Sequence, residues 1–253
     1  MELIFSEDFS SLENWNIHTI SGAQSGNCEF QHYTDSPENV FVANNCLTLR
    51  MLHQKFQGYK YTSGKVFSKQ AFGPYGLFNI QAKVPKGDGL FPAIWLFPQY
   101  PENQYGPCPS CGEIDIMESI CTDPRGFCVT HFGGVNERAS SFPEYPNNFY
   151  NYCIDWNVPH NFGVEWQRDY IQFWLDAEVI GGTIRGLKGP FVPKVWYSET
   201  PQGQRRHSEA PFDVPFNIVL NLAVGGSWAM QVSRCEEIPE KAEMHIFQVK
   251  YYK

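Results

Sequence analysis

The chain has 253 residues, of which 16% are aromatic and only 18% charged, and its formal net charge is −8. No block of Lys or Arg stands out, and the Arg205-Arg206 pair in a polar loop is too small for a nucleic-acid footprint. A membrane-spanning helix is excluded as well, because no apolar stretch approaches the roughly 18 residues needed to cross a bilayer.

Read from its start, the chain opens on Phe9, Trp15 and Ile17 separated by polar residues, which is no signal peptide. Strand-like segments then recur between turn signals. They are residues 47–52, 76–84, 162–166, 170–175, 216–223 and 245–252. Several alternate apolar and polar residues with period two, as half-buried antiparallel strands do. Pro85-Lys-Gly-Asp-Gly89 and Arg168-Asp169 each predict a hairpin turn. Nothing shows a long amphipathic helical period, and no linker or repeat divides the sequence. The expectation is a single all-β domain over 1–253, two antiparallel sheets packed face to face. Most of the 20 Phe, 13 Tyr and 7 Trp would fill its core, although pyranose faces also stack on such rings.

Cysteines 28, 46, 108, 111, 121, 128, 153 and 235 make an even set of eight, as in a secreted, disulfide-bearing protein whose signal has been removed. Cys108-Pro-Ser-Cys111 also has zinc-ligand spacing, but Cys121 and Cys128 are separated by six residues rather than two. Disulfides are expected over metal, with some free buried thiols, and no pairing is assigned.

The sharpest feature is Glu113-Ile-Asp-Ile-Met-Glu118. Residues two apart on a strand share a face, so Glu113 and Asp115 point one way and Ile114 and Ile116 the other. Glu118 breaks that parity and would enter the core. A β-bulge at Met117 restores it to the carboxylate face, and the alternative, an unpaired buried Glu, is costly. Three acids on one face repel each other, which stability alone disfavours. Glycoside hydrolysis gives the arrangement a use. Retaining enzymes hold two carboxyls about 5–5.5 Å apart, and neighbouring negative charge keeps one protonated. A solvated strand face or a calcium site would show the same run.

The run resembles the signature of glycoside hydrolase family 16, in its laminarinase-like, bulge-containing branch; lichenases of that family have one residue fewer before the second Glu. Other segments are similar in the same order. They include Asn27-Cys-Glu-Phe-Gln-His-Tyr-Thr34, Tyr61-Thr-Ser-Gly64, Gly89-Leu-Phe-Pro-Ala-Ile-Trp-Leu96, His131-Phe-Gly-Gly134 and 216–228. The resemblance implies a β-jelly roll with a concave glycan cleft and a retaining endo-β-1,3-glucanase acting on laminarin-like glucan. It also implies Glu113 as nucleophile, Asp115 as its modulating partner and Glu118 as general acid/base. Trp95 would lie beneath the sugar at the scissile bond, and His131 on the leaving-group side near Glu118. Asn27 and Trp228 would line the cleft, while Trp156, Trp166, Trp174 and Trp196 are left to the core.

Three departures stand out. Phe91 replaces a common Trp. Asn79 and Gln81 replace an ion pair, which bears on the support of the cleft. Phe247 stands where many members carry a calcium-binding Asp, so a structural calcium is possible but not supported by the sequence, and no cofactor is required. A monomer is expected. The competing readings are a non-catalytic β-1,3-glucan recognition protein, a transglycosylase and a member acting on another polysaccharide. The recognition proteins commonly lose the carboxylates present here.

Overall fold

The computed structural model describes residues 1–24, 27–98, 105–106, 108–133, 149–184, 196, 200, 203–204, 206 and 209–253. Strands, numbered β1 to β18 in chain order, form two sheets. One has seven strands, in the spatial order β13 (Phe149–Cys153), β12 (Arg125–His131), β11 (Glu113–Ser119), β10 (Leu90–Pro98), β17 (Phe216–Val224), β8 (Lys65–Ser68) and β2 (Trp15–Ile17). The other has eleven. Its path runs β16 (Glu178–Ile184), β15 (Tyr170–Leu175), β14 (His160–Trp166), β9 (Gly76–Lys83), β18 (Lys241–Tyr252), β6 (Leu47–Leu52), β7 (Tyr61–Ser63), β4 (Gln31–Tyr33) and β3 (Ile20–Ser21). Off this path, β1 (Leu3–Glu7) pairs with β18 and β5 (Val40–Val42) with β6. Among the described residues helix is confined to a 3-10 turn at Gly22–Gln24 and one α turn at Ala229–Val232.

Alternation decides which face each strand buries. On β9, Phe78, Ile80 and Ala82 enter the core while Leu77, Asn79 and Gln81 face outward. Phe78 stacks on Trp166 at 6.4 Å and meets Tyr251 at 4.7 Å, each such fully buried ring contributing about 1.5–3 kcal/mol. β17 departs from the alternation and is buried along its whole length. Its even-numbered residues, such as Ile218 and Leu220, join the main core, and Asn217, Val219 and Asn221 turn to the opposite face. A smaller apolar cluster of Tyr33, Phe91, Ile120, Cys121, Phe127, Ala223 and Ala229 covers one end of that opposite face.

The two-sheet sandwich is as expected, with several corrections. The two sheets are antiparallel except for one parallel pairing, β4 on β7. Arg168-Asp169 does close the β14–β15 hairpin. Pro85–Gly89, however, joins β9 of one sheet to β10 of the other, so it is a crossover. Pro and Gly mark a chain reversal without fixing whether the flanking strands pair. Strand β18 begins at Lys241, four residues earlier than the sequence pattern. Asn79 and Gln81 lie on the outer face of the eleven-stranded sheet, where Asn79 bonds Asn161 at 3.4 Å, and so do not support the carboxylate cleft. Trp166 and Trp196 are core residues, but Trp156 and Trp174 are only half-buried. Cys108 and Cys111 are bonded to each other, which removes the zinc reading for that pair, and the other six thiols are free.

Candidate active site

Strand β11 carries the acidic run, and its register contains the expected bulge. Trp95 of β10 pairs with Asp115, and then Ile94 with Met117 and Ala93 with Glu118. On the other side Asp115 pairs with Val129 and Glu118 with Phe127. The extra residue is shared by Ile116 and Met117, which both enter the main core at 1% and 0% exposure. Two successive apolar side chains thus face inward, and Glu113, Asp115 and Glu118 all face outward.

Cross-strand neighbours extend this face into rows. Beside Glu118 lie Phe127 on one side and Ala93, Asn221 and Lys65 on the other. Beside Asp115 lie Val129, then Trp95, Val219 and Phe67. Glu113 pairs with His131. Ala93 puts only a methyl group between Glu118 and Asn221, and the half-buried Trp95 lies in the adjoining row.

A hydrogen-bonded chain fixes that ring. Trp95 Nε1 donates to Asn221 Oδ1 at 2.7 Å, and Asn221 Nδ2 to the Tyr33 hydroxyl at 3.2 Å. Tyr33 donates to Glu29 Oε2 at 3.4 Å and Gln31 Nε2 to the same oxygen at 2.6 Å. Gln31 Oε1 accepts from the Val224 backbone at 2.7 Å. Lys65, 9% exposed, sits among the rings, with Nζ 4.9 Å from Trp95 and 5.7 Å from Tyr33. Burial lowers the Lys65 pKa, and the charges of Glu29 and Glu113 oppose that loss.

The acids are electrostatically unequal. Burial, then the charge of Asp115, pushes Glu113 up to about 8, with His131 and Lys65 pulling the other way. Glu118 is held well above its ordinary value, first by burial and then by the charges of Asp115, Glu113 and Glu29, with His131 opposing. His131 Nε2 lies 3.1 Å from Asp115 Oδ2. Burial opposes charge on that imidazole, but Asp115, Glu113 and Glu118 together raise it to about 9. Ligand atoms of Glu113, Asp115 and His131 lie within 4.8 Å of one another, a spacing that a cation could use. A protonated imidazole is a poor metal ligand, however, and the cluster already balances part of its own charge.

Glu113, Asp115, Glu118, Trp95 and His131 lie on this face, and Trp228 and Asn27 lie at its end. His131 stands opposite Glu113 and against Asp115, and the residue opposite Glu118 is Phe127. Trp228 packs edge-on to Phe91 at 5.2 Å and against Phe127 at 5.4 Å, so Phe91 serves as its support. Asn27 joins the same end, its carbonyl accepting from the Ser227 N–H at 2.7 Å. Phe247 stacks on His245 at 6.5 Å on the other sheet. Lys65, Asn221, Glu29 and Tyr33 were missed. The period-two spacing of Glu29, Gln31 and Tyr33 and the Lys-Val-Phe alternation from Lys65 were the available signals.

The family model for glycosyl hydrolases family 16 matches residues 28–236. The chain is 32% identical to a beta-glucanase of Rhodothermus marinus, over 91% of this chain and 78% of that one. It is 31% identical to glucan endo-1,3-beta-glucosidase A1 of Niallia circulans, over its whole length but only 38% of that longer protein. The solved laminarinase of Rhodothermus marinus superposes with a TM-score of 0.79 over 100% of this chain and 97% of its own, at 24% identity, which speaks for the fold alone. Jelly-roll sandwich, bulged carboxylate strand and family match agree, and the chain belongs to glycosyl hydrolases family 16.

Proposed function

We propose that this chain is a retaining endo-β-1,3-glucanase that cleaves laminarin-like β-glucan by double displacement. Glu113 attacks the anomeric carbon while Glu118 protonates the leaving oxygen. Glu118 then takes a proton from the water that releases the glycosyl-enzyme. The observation that carries this reading is the bulge, which puts Glu113, Asp115 and Glu118 on one face. Lys65 and His131 favour ionised Glu113, as a nucleophile requires, and burial with the charges of Asp115, Glu113 and Glu29 favours protonated Glu118, as a general acid requires. Forming the glycosyl ester removes the Glu113 charge, which is one of the causes that hold the Glu118 proton. Glu118 therefore becomes more acidic midway and is ready to act as a base. Asp115, paired with His131, orients Glu113.

Trp95 stacks beneath the reacting sugar, and Asn27 and Trp228 contact the glucan further along the cleft. The names of the Niallia circulans and Rhodothermus marinus relatives support a β-glucan substrate. We read residues 1–253 as one catalytic domain, acting as a secreted monomer without a required cofactor. No helix among the described residues is long and apolar enough to cross a membrane.

The test is proton NMR of laminarin digestion at early times, with Glu113→Gln alongside. The β-anomer should appear first and the variant should release no reducing sugar. An initial α-anomer would overturn the mechanism. Binding without hydrolysis by the unaltered protein would move the assignment to glucan recognition.

A further inference from the structure

Beyond the carboxylates, the described residues contain a second cluster of reactive groups, at the end of the cleft where Trp228 lies. Cys121 follows β11 three residues after Glu118, and Cys235 follows the α turn that begins next to Trp228. Their sulfurs and a carboxylate oxygen of Asp88 lie within 4.8 Å of one another. Both cysteines have positive φ, 49° at Cys121 and 55° at Cys235, in the region that L side chains rarely adopt. The chain is bent there in a way that brings the two side chains together. Cys121 is 1% exposed, with its Sγ 3.6 Å from the Ala229 carbonyl, and Cys235 is half-buried.

A metal would need Asp88 as a third ligand, but both of its oxygens are engaged. One accepts from Ser233 Oγ and the other from the Glu237 N–H at 2.8 Å. Asp88 therefore holds the 233–237 segment in place, which leaves the thiols facing each other.

We propose that Cys121 and Cys235 are a redox pair, whose disulfide staples the segment bearing Trp228 to the end of the carboxylate strand. The oxidant is a low-molecular-weight disulfide such as oxidised glutathione. The more exposed Cys235 loses its proton to solvent and attacks one glutathione sulfur, and the other glutathione leaves with the electron pair. Cys121, deprotonated in turn, attacks Cys235 Sγ, forms the protein disulfide and expels the second glutathione. Two thiols have lost two electrons and two protons, and the small disulfide has been reduced to two thiols. Burial, then Cys121 and Asp88, pushes the Cys235 thiol up to about 11, so the exchange speeds up as pH rises. That the staple acts on a glucan cleft rests on the function proposed above; the pairing itself does not.

The experiment equilibrates the purified protein with oxidised glutathione, alkylates it under denaturing conditions and maps the non-reducing digest by mass spectrometry. Alkylatable thiols should fall from six to four. A Cys121–Cys235 peptide should appear, and Tm should rise by roughly 5–10 °C relative to the protein reduced under conditions that leave Cys108–Cys111 intact. Cys235→Ser should abolish both changes, whereas Cys153→Ser should keep them. Four outcomes would each overturn the pairing: both thiols alkylated at every redox ratio, a lasting glutathione adduct on Cys235, a cross-link to another cysteine, or protection that a chelator removes. None of these readouts depends on hydrolysis, so a failure of the glucanase reading leaves them unchanged.

Discussion

Glu113 and Glu118 differ in what surrounds them more than in what they are. Lys65 and His131 favour ionised Glu113 against the charge of Asp115, while Glu118 lies between apolar Phe127 and Ala93 and is held up chiefly by burial. Replacing Glu113 by Gln should lower kcat on laminarin by at least about 10³-fold with little change in KM, measured as reducing-sugar release. A bell-shaped pH profile is expected, the acid limb reporting protonation of Glu113 and the alkaline limb deprotonation of Glu118. Changing Lys65 to Met should push the acid limb to higher pH, because a positive charge that favours ionised Glu113 is lost. An unmoved limb would remove Lys65 from that role. The three acids were legible in the sequence because strand parity is local. Lys65 and Asn221 were not, since their closeness to the acids comes from the pairing of β11, β10, β17 and β8, which are far apart in the chain.

At the scale of the element, the bulge is the part that can be tested most directly. Deleting Met117 leaves Glu-Ile-Asp-Ile-Glu, an unbroken alternation that keeps all three acids on one face. That variant should fold and retain measurable hydrolysis, though it loses about 2–5 kcal/mol with a fully buried side chain. Deleting Ile114 instead turns Glu113 toward the core and should abolish activity altogether. Circular dichroism and laminarin assays on the two deletions decide the point, and equal activity would refute the register described. The bulge was foreseen because one misplaced Glu demanded it. The crossover at Pro85–Gly89 was not, since nothing within five residues tells a turn which sheet its second strand will join. The apolar face of β10, with Ile94 and Leu96, fits the core from either sheet.

For the whole molecule, the acidic face is a source of instability. Glu113 goes from 4.5 to about 8 and His131 from 6.5 to about 9 on folding, so each binds its proton more tightly in the folded state. Groups shifted upward stabilise most below their unfolded values, and that stabilisation fades as pH rises through the folded ones. Tm should therefore fall between about pH 5 and about pH 9. Replacing Glu118 by Gln should raise Tm at pH 8 by roughly 2–4 °C for each kcal/mol of repulsion removed, and the gain should vanish near pH 4. A Tm gain in this variant that did not depend on pH would point to packing instead. The sandwich itself was readable from period two and from aromatic content. The order of its strands was not, because many strands with the same alternation can be shuffled without changing any local pattern.

That order bears on how the protein is made. β18, the last of the sandwich's described strands in sequence, lies inside the eleven-stranded sheet, with β6 and β1 along one edge and β9 along the other. During synthesis its neighbours emerge first and must wait, with open edges, for residues 241–252 to leave the ribosome. Until then β9 and β6 have no common partner, and Phe78, Ile80 and Leu49 lack the Met244, Ile246 and Val249 side of their core. The sheet is closed from its middle by the part that arrives last, so nascent chains halted before residue 241 are the species that a chaperone would have to hold.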